Sequence, residues 1–245
     1  MDRASAGGRN QGMSALDEAL SDLKRRGSVS LVVGSVPPES YAEVSRRMLG
    51  RPDDDRPRRR LLVVPESDRR SAVERLRATG PLDRAHAAII TCNGTARSAA
   101  SAESGPGESG NRPPVRRVDG GLAELGGAIT DVVDRFDAAS GGLEPAELRV
   151  GIDPLPERLA AGGTPAAFGF LHAFTEQVRR TGGMGHVGVP RDRDDRTVRT
   201  LAPLFDALLE LRLAGQRLEQ RWHLRDRDLV SDWLAVTEVS GGEEG

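Results

Sequence analysis

The stretch from Ser28 to Gly50, SVSLVVGSVPPESYAEVSRRMLG, restricts the possible folds more than any other part of the chain. Its apolar run, Val29 to Val33, reads as a buried strand that stops at Gly34. After a Pro37-Pro38 turn, helical spacing begins near Glu39. Strand, glycine turn and helix in that order make the βα unit on which nucleotide-binding sheets are built. A working phosphate loop reads G-x-x-x-x-G-K-[ST]. Bare amides cradle the phosphates, the lysine reaches the β and γ oxygens, and the hydroxyl holds Mg²⁺. Here Gly34 to Tyr41 read GSVPPESY. Glu39 stands where the second glycine belongs, Ser40 replaces the lysine, and Tyr41 offers a phenol in place of the small hydroxyl. Pro37 and Pro38 also remove two amide donors. The unit therefore predicts a fold and, at the same time, the loss of the activity usually built on it.

The chain has 245 residues, enough for one α/β domain with a full core and too few for two large ones. Aromatic residues make up only 3%, so the core must rest on Leu, Val, Ile and Ala, which suits a parallel sheet covered by helices. A net charge of -2 supplies no global drive toward nucleic acid or an anionic membrane. Lys24 is the only lysine, so nearly all positive charge is arginine; a GC-rich coding sequence explains that without a dedicated phosphate site. Cys92 is the single cysteine, which rules out an intrachain disulfide and a cysteine metal cluster. The N-terminal segment has no apolar signal region, and no run is long and apolar enough to span a bilayer. A cytoplasmic protein is expected.

Along the chain, residues 1 to 13 read as unstructured. A helix capped by Ser14 follows, with Leu16, Ala19, Leu20 and Leu23 on one face and Gly27 as its stop. Residues 51 to 60 read as a charged turn before a strand over Leu61–Val64, and a covering helix over Glu66–Thr79 ends at Gly80-Pro81. His86–Thr91 is a third strand. From 93 to 114 the composition turns to Gly, Ser, Ala, Pro and Glu, and a flexible insertion is expected. Further elements are a strand at Val115–Val118, a helix at Leu122–Phe136, and a strand from Leu148 that closes on Asp153. A helix at Pro165–Thr181 buries Phe168, Leu171, Phe174 and Val178, and a strand covers Met184–Val189. A short helix at Asp194–Leu204 precedes a hairpin of Ala207–Leu213 and Arg217–Leu224, and the tail from about 236 is acidic and glycine-rich. Alternating strands and helices followed by two consecutive strands predict a doubly wound, mostly parallel sheet with an antiparallel edge. Ligands in such sheets bind at the carboxyl ends of the strands, which puts Gly34–Ser40, Glu66, Thr91–Asn93 and Asp153 on one rim.

The glycine turn after the first strand, a hydrophobic strand closing on Asp153, and a final hairpin ending RWHLRD resemble the RecA-like ATPases of the KaiC type. The block FGFLHAFTEQVRRTGGMGHVGVPRDRDDRTVRTLAPLFDALLELR, with QRWHLRDRDLVSDWL after it, is similar to small RecA-like proteins of halophilic archaea whose phosphate loop has degenerated. The resemblance covers residues 14 to 234 and implies a single RecA-like domain. It puts Asp153 at the magnesium-site acid and Pro65-Glu66 where active relatives carry a water-positioning carboxylate pair, of which one acid is left. The positions matching a nucleotide site are thus Gly34, Ser35, Glu39, Ser40, Tyr41, Glu66 and Asp153. Without the lysine, the charge that stabilises the transferring phosphoryl group is missing.

Simpler structural roles compete at each of these positions. Asp153 can cap the turn after its strand, and Glu66 suits the first turn of a helix. The Gly182-Gly183 stretch reads as a helix stop, and Cys92 as a small packed residue. His86, His172, His186 and His223 lack metal-ligand spacing, so no metal site is expected. The resulting expectation is a non-catalytic RecA-like domain with no cofactor, ATP included, that acts as a regulator or scaffold through a protein partner or a second copy of itself. Two alternatives stand beside it: a nucleotide sensor without hydrolysis, and a DNA-binding accessory protein related to recombinase paralogues.

Overall fold

The structure, a computed structural model, describes residues 3–52, 58–92, 112–155 and 165–236, with side chains from residue 13 onward. The strands are β1 (Ser28–Val33), β2 (Arg59–Pro65), β3 (Ala87–Cys92), β4 (Val115–Val118), β5 (Leu148–Ile152), β6 (Met184–Val189), β7 (Ala207–Ala214), β8 (Arg217–Leu224), β9 (Leu229–Val230) and β10 (Leu234–Ala235). The helices are α1 (Arg3–Arg26), α2 (Pro38–Met48), α3 (Arg69–Arg77), α4 (Leu122–Ser140), α5 (Pro165–Arg180) and α6 (Arg196–Leu201). Among the described residues ten strands join one sheet in the order β10-β8-β7-β1-β6-β5-β2-β3-β4, with β9 also on β8. The seven strands from β7 to β4 run parallel, and β8, β9 and β10 extend the sheet antiparallel. The mostly parallel α/β sheet with its C-terminal antiparallel hairpin is therefore present. β9 and β10 are additions that two-residue segments could not announce in the sequence.

The central strands are apolar along their whole length because both faces are covered. Every residue of β1, β3 and β5 is buried. On one face, Leu62, Val64, Ala87 and Ile89 pack against Ala72 and Leu76 of α3, and Val32 packs against Tyr41 and Val44 of α2. On the other, Leu31, Val63, Val150 and Val187 meet Leu125, Ile129 and Phe136 of α4 and Leu171 and Phe174 of α5. α1 lies on β7 and β8, where Leu16, Ala19 and Leu23 cover Ala207 and Leu224.

Four local expectations need correction. α1 begins at Arg3, upstream of Ser14, so Ser14 is an interior helical residue and residues 3–13 have helical backbone; no proline blocks that upstream turn. Arg59 and Arg60, expected in a charged turn, are buried strand residues of β2. The Arg60 guanidinium donates to the carbonyls of Leu76 and Pro81 and to Thr79 Oγ1, so it satisfies one carbonyl in the last turn of α3 and one in the loop that follows. In α5 the buried stripe is Ala167, Phe170, Leu171, Phe174, Thr175 and Val178, and Phe168 points outward at 42% exposure. Two phenylalanines two positions apart lie on opposing sides of a helix, and Phe170 is the one that faces the sheet. Finally, the 66–79 helix opens with a short 3-10 turn at Glu66–Asp68, and the 194–204 segment ends in another at Ala202–Leu204. The expected insertion lies for residues 93–111, and the tail for residues 237–245, outside the described residues.

Candidate functional site

Doubly wound sheets hold ligands where the winding direction reverses. β1 leads through α2 toward β2 on one side, whereas β6 leads through α6 to β7 on the other. The crevice between the carboxyl ends of β1 and β6 is therefore the position at which chemistry is expected.

In this protein the crevice is filled from within. Gly34, at φ 140°, has no space for a side chain, since a Cβ would stand 2.3 Å from the Leu211 carbonyl oxygen. Its N–H donates to the Arg191 carbonyl at 2.8 Å, which ties the ends of β1 and β6 together. Tyr41 comes up from the first turns of α2 and its hydroxyl donates to the carbonyl of Gly34 at 2.8 Å, with the Val189 carbonyl at 3.0 Å sharing the proton. The ring is buried among Val32, Val44, Leu209 and Leu211. Burial, then the nearby Asp153 and Asp192 carboxylates, raise the phenol further above its ordinary range, so it stays a neutral donor.

Beneath Tyr41 lies a buried polar cluster drawn from four elements. Asp153 follows β5 and is only 4% exposed. Its Oδ2 accepts from Arg75 Nη1 of α3 at 2.6 Å. The same nitrogen donates to Ser45 Oγ of α2 at 3.0 Å, and that hydroxyl lies 2.8 Å from His186 Nε2 of β6. Two strand glycines make room for these groups. A Cβ at Gly188 would stand 2.7 Å from Asp153 Oδ1, and one at Gly151 would stand 2.6 Å from the His186 ring. Complete burial, reinforced by the positive charges of Arg75 and Arg149, lowers the His186 imidazole to about 3, so it is neutral. Burial also pushes the Asp153 carboxyl up, against the pull of Arg75.

The structure therefore brings Gly34, Tyr41 and Asp153 to one crevice, with Asp153 directed inward to an arginine. Ser35, on the turn before α2, and Glu39, in its first turn, are both exposed. Ser40 is buried, with its N–H on the Pro37 carbonyl. α2 has Pro37 at its N-cap and no side-chain cap. Glu66 opens the 3-10 turn after β2 and faces Arg69 at 3.5 Å. Thr91 and Cys92 are buried at the end of β3, and Asn93 lies outside the described residues. Among the described residues no group of three or more His, Cys, Asp or Glu could hold a metal ion. No helix among them is long and apolar enough to cross a membrane.

The sequence draws no attention to Arg75 and Ser45 and offers His186 only as a histidine without metal-ligand spacing, yet each carries a signal. Arg75 lies on the same side of its helix as Ala72 and Leu76, Ser45 directly follows Val44, and His186 interrupts a glycine-valine strand. Polar residues on three faces that must be buried have to satisfy one another. The model of the family described as Family of unknown function (DUF7504) matches residues 27–211, well over half of the chain, and the chain belongs to that family. No curated protein matches it.

Proposed function

We propose that this DUF7504 protein is a non-catalytic domain of RecA-like, KaiC-type ancestry that acts through protein contact, as a regulator or scaffold, and not by nucleotide turnover. One observation carries the reading: the ligand crevice is occupied by the protein's own Tyr41, hydrogen-bonded to the ends of β1 and β6. A phosphate entering there would displace a buried phenol that already satisfies two carbonyls. It would also meet Pro37 and Pro38 in place of amide donors. The acid that resembles a magnesium ligand is engaged by Arg75, so it offers a cation no free charge.

The test is calorimetric titration of the folded protein with ATP and ADP in the presence of Mg²⁺, at low and at multimolar KCl, paired with a phosphate-release assay. Neither binding heat nor turnover is expected in either salt. Micromolar binding, or turnover that disappears in Asp153→Asn, would overturn the reading in favour of a working nucleotide site.

A further inference from the structure

At the end of the sheet away from the Tyr41 crevice, the half-buried Arg135 has no counter-charge in its own chain among the described residues. We propose that Arg135 of α4 and Arg84, in the loop before β3, together bind a phosphate-type oxyanion.

The topology brings the two residues to one place. α4 starts beyond the carboxyl end of β4, and its 19 residues carry it back about 28 Å, more than the roughly 20 Å of the six-residue β3. Arg135, in the last turns of α4, therefore reaches the amino end of β3, where Arg84 stands just before Ala87. The Arg135 guanidinium lies over the Phe136 ring, 5.2 Å from its centroid, and Phe136 is itself fully buried. That contact fixes the cation in position.

What the chain does not supply is an acceptor. Nε and Nη2 of Arg135 are enclosed by the protein and bond to nothing. Each acid near these two arginines in the chain is committed or turned away. Asp131, one turn before Arg135 and the usual partner at that spacing, is held by Arg116 at 2.6 Å. Asp83, beside Arg84, accepts from the Ala85 N–H at 2.9 Å and lies 2.8 Å from His86 Nδ1. Asp137 accepts from the Leu143 N–H at 2.9 Å. Asp134 is exposed, on the side of α4 opposite Ile129, Val132 and Phe136. Burial, and then the like charge of Arg84, lower the Arg135 guanidinium from its ordinary value. Two guanidiniums that repel each other, one of them half-buried, are stabilised by an anion placed between them. A tetrahedral dianion suits both, because its oxygens match guanidinium N–H groups in bidentate fashion and its charge balances two cations, where a single carboxylate balances one. The pair lies at the opposite end of the strands from Gly34 and Tyr41, so the inference does not rest on the reading of that crevice.

The experiment is calorimetry and urea unfolding of the full chain at constant ionic strength, with chloride exchanged stepwise for inorganic phosphate. The wild type is expected to bind phosphate saturably, with a dissociation constant of about 1 mM or tighter, and its unfolding midpoint should rise with occupancy. Arg84→Gln and Arg135→Gln should each weaken binding by about tenfold or more. Without phosphate, both variants should unfold no more readily than wild type, since each removes a repelling charge. Glycerol phosphate titrated in parallel identifies the source: tighter binding than the inorganic ion assigns the site to a phosphorylated molecule, and equal or weaker binding assigns it to the free ion. A wild type without saturable binding would overturn the proposal, and so would binding that both substitutions leave unchanged. Stabilisation that climbs with phosphate alike in all three proteins is the general effect of an excluded salt and would overturn it as well. Nucleotide binding lost in Asp153→Asn but kept in Arg135→Gln would overturn the crevice reading alone, so the two fail separately.

Discussion

Asp153 has the position of a catalytic acid and the surroundings of a structural one. A carboxylate buried to this degree must be paired, and Arg75 at 2.6 Å supplies the partner. Such a pair adds little over a well-packed apolar substitute, yet removing one member leaves an uncompensated charge. Arg75→Met is therefore expected to destabilise the fold by about 3–5 kcal/mol, whereas Asp153→Leu combined with Arg75→Met should lose much less. Urea unfolding of the single and double variants checks this, and a double variant as unstable as the single one would remove the pairing argument. The pair was only half legible: the acid stands out at a strand end, but nothing in the sequence links position 153 to position 75.

At the level of elements, α2 has kept its place in the βα unit while its first turns have changed purpose. Tyr41 latches the helix to β1 and β6, closing the space that a phosphate loop would leave open. Tyr41→Phe keeps the ring and deletes both hydrogen bonds, so a loss of about 1–2 kcal/mol is expected from the carbonyls left unsatisfied. Hydrogen exchange should report faster opening of residues 35–41 in that variant, without any gain of ATP binding. Unchanged exchange would mean that the ring alone holds the helix. Element type was readable from periodicity almost throughout. Two of the errors came where a polar or aromatic residue had two plausible directions: Arg60 turned inward to the end of α3, and Phe168 turned outward because Phe170 took the core position.

For the molecule as a whole, the neutral His186 makes stability sensitive to acid. Its imidazole titrates at about 3 when folded against 6.5 when exposed, so between those values the unfolded chain holds a proton that the native state does not. Stability therefore rises with pH across that window, and falls on acidification by up to about 1.4 kcal/mol per pH unit. Asp153 works in the opposite sense at the acid end, since burial raises its carboxyl and the native state takes up that proton first. Denaturation midpoints measured from neutral pH down to about pH 4.5 should decline in the wild type and flatten in His186→Asn. Equal slopes in both proteins would place the proton uptake elsewhere.

The sequence by itself determined the α/β class, the parallel winding, the strand that carries Asp153 and the degenerate loop from Gly34 to Tyr41. These are local matters of hydrophobic period, turn residues and missing donors, and each is written within about ten residues of chain. Only the tertiary structure decided what became of the loop's residues. Tyr41, Ser45, Arg75, Asp153 and His186 meet because α2, α3, β5 and β6 converge on one side of the sheet. A buried polar group is defined by partners distant in the chain, and no local pattern specifies those partners.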